Sequence, residues 1–135
     1  MATRRMNSAP QVGGLVPLPD APVHTDAGTI WNLAHECKGT VSVLECLPGS
    51  TRSKHSHPDA HWLFVASGKA LYYERPAGSR EDVAPIVVNE GELFFTPGGV
   101  EHKVFFPVRT ILVSLATSER RPGEHDKKIT RVEWP

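Results

Sequence analysis

Residues 54–75 read KHSHPDAHWLFVASGKALYYER, and this stretch decides the fold. From His61 onward it splits into two runs, HWLFVAS (61–67) and KALYYER (69–75), with the break at Ser67-Gly68. Both runs are short, rich in aromatic and aliphatic residues, and bounded by turn-forming residues, which is how strands read. The same pattern continues outward on either side. Before it come TIWNLAH (29–35) and TVSVLECL (40–47); after it come APIVVN (84–89), GELFFT (91–96), HKVFFPV (102–108) and RTILVSLA (109–116). Further breaks fall at Pro48-Gly49, Pro76-Ala77-Gly78, Asn89-Glu90-Gly91 and Pro97-Gly98-Gly99. No long stretch has helical periodicity. A succession of short strands without helices predicts an all-β fold, an antiparallel jelly-roll β-barrel whose mouth can hold a ligand cavity.

The flanks differ from this middle. Residues 1–22 read as an extended N-terminal arm with a short strand around Leu15–Leu18, and 23–117 as the barrel domain. Residues 118–135 form a tail that begins with the charged run SERRPGEHDKK and closes on ITRVEW (129–134). That last run is expected either to pair at a sheet edge or to reach a neighbouring subunit.

A chain of 135 residues suffices for one domain with one core. Its 15 Lys and Arg balance 15 Asp and Glu, and this lack of basic excess argues against a nucleic-acid partner. No apolar run approaches the roughly 20 residues needed to span a bilayer, so no membrane partner is expected. The opening MATRRMNSAP has no hydrophobic stretch behind its arginines and is not a secretory signal, which makes a cytoplasmic location the expectation. Cys37 and Cys46 form no CxxC pair and read as free thiols, small buried side chains first, with Cys46 close enough to the histidine block to line a cavity.

Histidines carry the chemistry. A lone histidine in a strand is ordinarily a satisfied surface or core residue. Here His55, His57 and His61 form an HxHxxxH run, and His102 follows in TPGGVEHKV (96–104). His55 and His57 are two apart and share a strand face; His61 keeps that parity provided Pro58 and Asp59 do not bulge the chain. Three imidazoles on one face and a fourth arriving from elsewhere suit one divalent transition metal: Zn, Mn, Fe or Ni. On an octahedral ion they would leave two positions open for water, substrate or dioxygen. His24, His35 and His125 sit in less patterned contexts and are set aside as non-ligands.

By the same parity, Leu63 and Val65 face inward with His61, and Val104 and Phe106 with His102, giving a mostly apolar pocket. Trp62 and Phe64 face the other way, against a second sheet or a partner. One of Tyr72 and Tyr73 reaches the pocket, and Tyr72 is the candidate. Glu45 is the candidate catalytic acid or base: if its face is internal it is a buried carboxylate with a raised pKa, and if not, an ordinary strand-surface glutamate. Glu101 is expected to be exposed at its turn.

The two histidine blocks resemble the paired motifs of the cupin superfamily. In the first, Gly49 is followed by STRSK, His55-Ser56-His57, PDA, His61 where a glutamate is usual, WLFVAS and Gly68. In the second, Gly91 is followed by ELFFT, Pro97-Gly98-Gly99, Val100-Glu101, His102, KVF, and Phe106 where an asparagine is usual. The resemblance covers residues 49–106. With His61 it is similar to four-histidine members, the small manganese-type monocupins and a zinc-type polyketide cyclase. It implies a metal-dependent enzyme acting on a small, apolar, oxygen-bearing substrate (a polyketide, diketone or phenolic) by cyclisation, isomerisation or lyase chemistry. The alternatives are a dioxygen-dependent cupin dioxygenase and a non-catalytic cupin that senses a small molecule or binds metal. It also implies a homodimer, paired through exposed apolar sheet faces.

Overall fold

Strict alternation sets the architecture. In the strand that opens at His61, side chains 61, 63 and 65 are buried while 62, 64 and 66 are exposed, the signature of a sheet with one face on a core. The computed structural model describes residues 14–36 and 38–134. It contains eleven strands: β1 (Val23–Thr25), β2 (Gly28–Ala34), β3 (Thr40–Cys46), β4 (Ser50–Ser56), β5 (His61–Ser67), β6 (Lys69–Arg75), β7 (Ile86–Asn89), β8 (Leu93–Thr96), β9 (Glu101–Phe106), β10 (Thr110–Ala116) and β11 (Thr130–Arg131). A single 3-10 turn, Asp126–Lys128, is the only helical element among the described residues.

The strands form two antiparallel sheets, one of six strands ordered β1-β2-β3-β10-β5-β8 and one of five ordered β11-β4-β9-β6-β7. Successive strands alternate between the sheets around much of the chain, which is the jelly-roll arrangement expected from the sequence. Between them sits a core that includes Cys46, Val65, Ala70, Tyr72, Val88 and Phe94. Val65 is fully buried, worth about 1.5–3 kcal/mol relative to exposure. Cys46 is a free, buried thiol whose sulfur accepts a hydrogen bond from Arg52 Nε at 3.3 Å. Cys37 lies outside the described residues, as do residues 1–13 of the arm.

The structure revises the sequence expectations at the arm and at the first histidine strand, and decides between those for the closing run. Leu15–Leu18 form no strand and are exposed at Leu15, Val16 and Leu18. β1, only three residues long, has no sequence signal, and the strand expected at His55 and His57 is β4, STRSKHS, which begins at Ser50, ends at Ser56 and carries no apolar side chain to alternate. Of the two options for the closing run, the first holds: Thr130 and Arg131 pair with Ser56 and His55 at the edge of the five-stranded sheet. Buried Trp134 anchors that return, with the Arg75 guanidinium 4.0 Å above its ring.

Candidate metal centre

A β-bulge aims the first two histidines. β4 pairs with β9 as Ser50↔Phe106 and Arg52↔Val104, which puts the even-numbered side chains of β4 on the inner face with Val104 and Phe106. The register then slips between Ser53 and His55, so that His55 lies opposite His102. Ser53 and Lys54 take left-handed backbone (φ 79° and 58°) to make the slip. The extra residue switches the inward parity from even to odd, and His55 joins His102 inside. Non-glycine residues in this conformation cost of order 1–3 kcal/mol each, a strain found where a site needs it.

His61 does not share a strand face with His55 and His57, contrary to the parity argument. The chain reverses through Pro58 and Asp59, and His61 opens β5 in the other sheet. His102, the imidazole arriving from elsewhere in the chain, is the lateral neighbour of His55 in one sheet. The reversal is fixed by close packing: a Cβ on Gly98 would fall 2.1 Å from the Pro58 carbonyl oxygen, and the Gly99 N–H donates to the His57 carbonyl at 2.8 Å. Only glycine fits at 98, so the PGG turn of one motif locks the HxH turn of the other.

Three of the four imidazoles converge, and His61 lies beside them but outside that group. One ring nitrogen from each of His55, His57 and His102 lies within 4.8 Å of the others. The His61 ring sits beside two of them, its centroid 5.4 Å from that of His57 and 5.8 Å from that of His102. His57 Nδ1 donates to Asp59, 2.8 Å from Oδ1 and 3.0 Å from the carbonyl, and this leaves Nε2 as the lone-pair nitrogen. Nδ1 of His55, Nε2 of His57, both nitrogens of His61 and Nε2 of His102 are buried without a hydrogen-bond partner. Buried polar atoms are normally paired, so a cluster of orphaned imidazole nitrogens fits a metal ion as the missing partner.

Burial, then the neighbouring rings, depresses His55 to about 2 and His102 to about 4. Burial and the Arg120 guanidinium hold His61 well below its ordinary value. These rings are therefore neutral near pH 7, the form that donates a lone pair. Burial alone would raise the Asp59 carboxyl, but hydrogen bonds from His57, Arg120 and Ser118 more than offset it and keep the group ionised.

The family pattern of a cupin domain matches residues 42–114, over half of the chain and all four histidines. The chain is a cupin. No curated protein sequence matches it. Among solved structures it is similar to the capsular polysaccharide assembling protein CapF from Staphylococcus aureus (TM-score 0.74, 20% identity, 87% of this chain and 32% of that one). It is also similar to an RmlC-like cupin from Shewanella frigidimarina (TM-score 0.63, 18% identity, 76% and 87%). A variant of oxalate decarboxylase from B. subtilis aligns with TM-score 0.69 and 15% identity over 91% and 35% of the two chains. This cupin therefore spans about a third of the length of CapF and of the decarboxylase. At such identities the likeness is one of fold.

Beside the histidines the cupin barrel opens into a cavity of about 480 Å³. Leu63, Val104 and Phe106 line it as expected, joined by Leu44 and Leu112. Val65 and Tyr72 do not: both point inward but lie deeper, in the packed core, with the Tyr72 hydroxyl donating to Glu74. Glu45 is also elsewhere. The buried face of β3 carries Thr40, Ser42 and Cys46, so Glu45 faces outward, where Arg109 pairs with it at 2.8 Å. Glu101, expected at the surface, is buried against Arg75 at 2.8 Å.

Two contributors come from the tail and had no sequence signal. Arg120 and His125 both line the cavity, and the His125 ring lies 5.6 Å from that of His57. The His125 position follows from the tail's return, which no local periodicity announces. His24 and His35, also set aside, do lie apart: His24 contacts Thr29, and His35 is held by Thr40 and Asp20.

Proposed function

We propose that this protein is a metal-dependent cupin enzyme that holds one divalent transition metal (Zn, Mn, Fe or Ni) through His55, His57 and His102, with His61 as the fourth ligand. The observation that carries the reading is the convergence of imidazole nitrogens without a hydrogen-bond partner beside an open cavity that His55, His61 and His102 line. Cupins include metal enzymes, which agrees with it. When bound, such an ion supplies Lewis acidity toward a carbonyl or enolate oxygen. The chain's own residues do the rest. Leu63, Val104 and Phe106 seat the apolar body of a small oxygen-bearing substrate such as a polyketide, diketone or phenolic. Asp59 fixes the tautomer and orientation of His57. Tail residues, among them Arg120, His125 and Ile129, complete the cavity wall.

The chemistry we favour is non-redox: cyclisation, isomerisation or lyase. The test is metal content of the purified protein, before and after chelation, followed by a substrate panel in an oxygen electrode. About one equivalent of metal per chain and chelator-sensitive turnover without oxygen uptake are the expected results. Oxygen uptake would make it a dioxygenase, and ligand-induced stabilisation without turnover a sensor.

We also propose a homodimer. The outer face of the six-stranded sheet carries two apolar rows, Trp31–Val43–Val113–Phe64–Leu93 and Val41–Leu115–Trp62–Phe95, set by the strand registers. Trp62, Phe64, Leu93, Phe95 and Leu115 are exposed, so this face suits a second copy of the chain. A monomeric mass in sedimentation equilibrium at micromolar concentration would sink the proposal.

A further inference from the structure

Arg120 is unusual among the cavity arginines. Its Nε donates to Asp59 Oδ2 at 2.9 Å and its backbone N–H to Thr40 Oγ1 at 2.7 Å, so the side chain is held in place. Its Nη2 is buried with no partner, although the guanidinium lines the cavity with His61 and His125. Asp59 does not take up that donor; its oxygens serve His57, the Ser118 hydroxyl at 2.8 Å and Arg120 Nε. Arg52, also in the cavity wall, is different: its Nε meets Cys46 sulfur and its Nη2 the Glu45 carbonyl at 2.9 Å.

A buried cationic donor left unmade costs more than a neutral one, and the planar guanidinium fork matches carboxylate geometry. Resting on the cavity reading above, we propose that Arg120 is the anion anchor of this site and that its ligand is a small carboxylate with an apolar body. The carboxylate takes Nη2, and the body lies along Leu63, Val104 and Phe106, which places the ligand beside the histidines. This narrows the substrate class from any oxygen-bearing molecule to an acid. Arg120 is on this account a binding residue for the substrate, supplied by the tail rather than by the barrel.

The probes are benzoate and its neutral analogue benzamide, titrated calorimetrically into the full-length, metal-free protein. Wild type is expected to prefer benzoate by about tenfold or more. In Arg120→Gln that preference falls to about one, with benzamide bound as by wild type. No preference in the wild type, or one that survives in Arg120→Gln, overturns the proposal. Should the variant not fold, crystals of wild type grown with benzoate decide: a carboxylate on Arg120 Nη2 supports it, and a carboxylate elsewhere overturns it. Zinc uptake by wild type is measured separately, so a missing metal centre and a missing anion anchor give different results.

Discussion

The interior of this barrel has two parts with opposite chemistry, and β5 runs through both. At Val65 the inward row is shut, packed in a core with Ala70, Tyr72 and Phe94. Four residues earlier on the same row, His61 buries two ring nitrogens with no partner. The first part is stabilised by apolar area removed from water and by dispersion. The second part lowers stability, since each orphaned polar atom costs about 1–3 kcal/mol. A fold keeps such a region when something absent from the chain alone completes it.

Substitutions in the two parts should therefore separate stability from metal binding. His57→Ala is expected to lower zinc affinity by at least about a hundredfold, read by competition with a chromophoric chelator, because it removes both a ligand and the target of Asp59. The metal-free variant should melt no lower than metal-free wild type. Val65→Ala should do the reverse, costing about 2 kcal/mol in urea unfolding and leaving affinity nearly unchanged. Equal effects from both variants on both measurements would erase the distinction.

Asp59→Asn probes the border between the parts. It keeps the shape but loses the charge that orients His57 and pairs with Arg120. A drop of about 10–100-fold in zinc affinity is expected, with all four histidines intact. A variant that binds zinc as tightly as wild type would reduce Asp59 to a turn residue.

Acid should act on the open part first. His102 titrates near 6.5 when unfolded and near 4 when folded. Between those values the unfolded chain binds more protons, so its stability contribution is complete above pH 6.5 and shrinks as the pH falls toward 4. The slope per such ring is at most about 1.4 kcal/mol per pH unit. His55 adds to it in the same direction over a wider window. Urea midpoints of metal-free protein should fall from pH 7 to pH 5, and a flat profile there would mean these rings are solvated.

How much of this was legible depended on distance along the chain. The alternation of β5 and β9, the HxH spacing and the PGG turn are local, and they placed the strands and named the four histidines. The extent of β4 was hidden because it carries no apolar side chain, and its facing because a bulge flips the parity at Ser53 and Lys54. The sheet assignment of His61 was hidden because Pro58-Asp59 reverses the chain instead of extending it. Arg120 and His125 return to the site from some sixty residues beyond Asp59, joined by an ion pair and a two-stranded edge. Hydrophobic period carries no information about such a return. Asp59 alone had an available signal, a carboxylate two residues past a ligand histidine.

Glu45 gives the smallest effect and tests the same boundary from outside. Sequence leaves its face undetermined, since Val41, Val43 and Leu47 are as apolar as a core row. The register decides it: Glu45 lies opposite Ile111, and the buried side chains of β3 are on the other face. Its partner Arg109 is more than half exposed, and pairs of this kind contribute about 0–1 kcal/mol. Glu45→Gln should therefore shift unfolding by less than about 1 kcal/mol, with zinc affinity and the pH profile of any turnover unchanged. A proton shuttle would behave otherwise, losing turnover at retained metal and moving the acid limb of that profile. Such a result would mean that the outer sheet face reaches the chemistry, and the division between a closed and an open interior would have to be redrawn around β3.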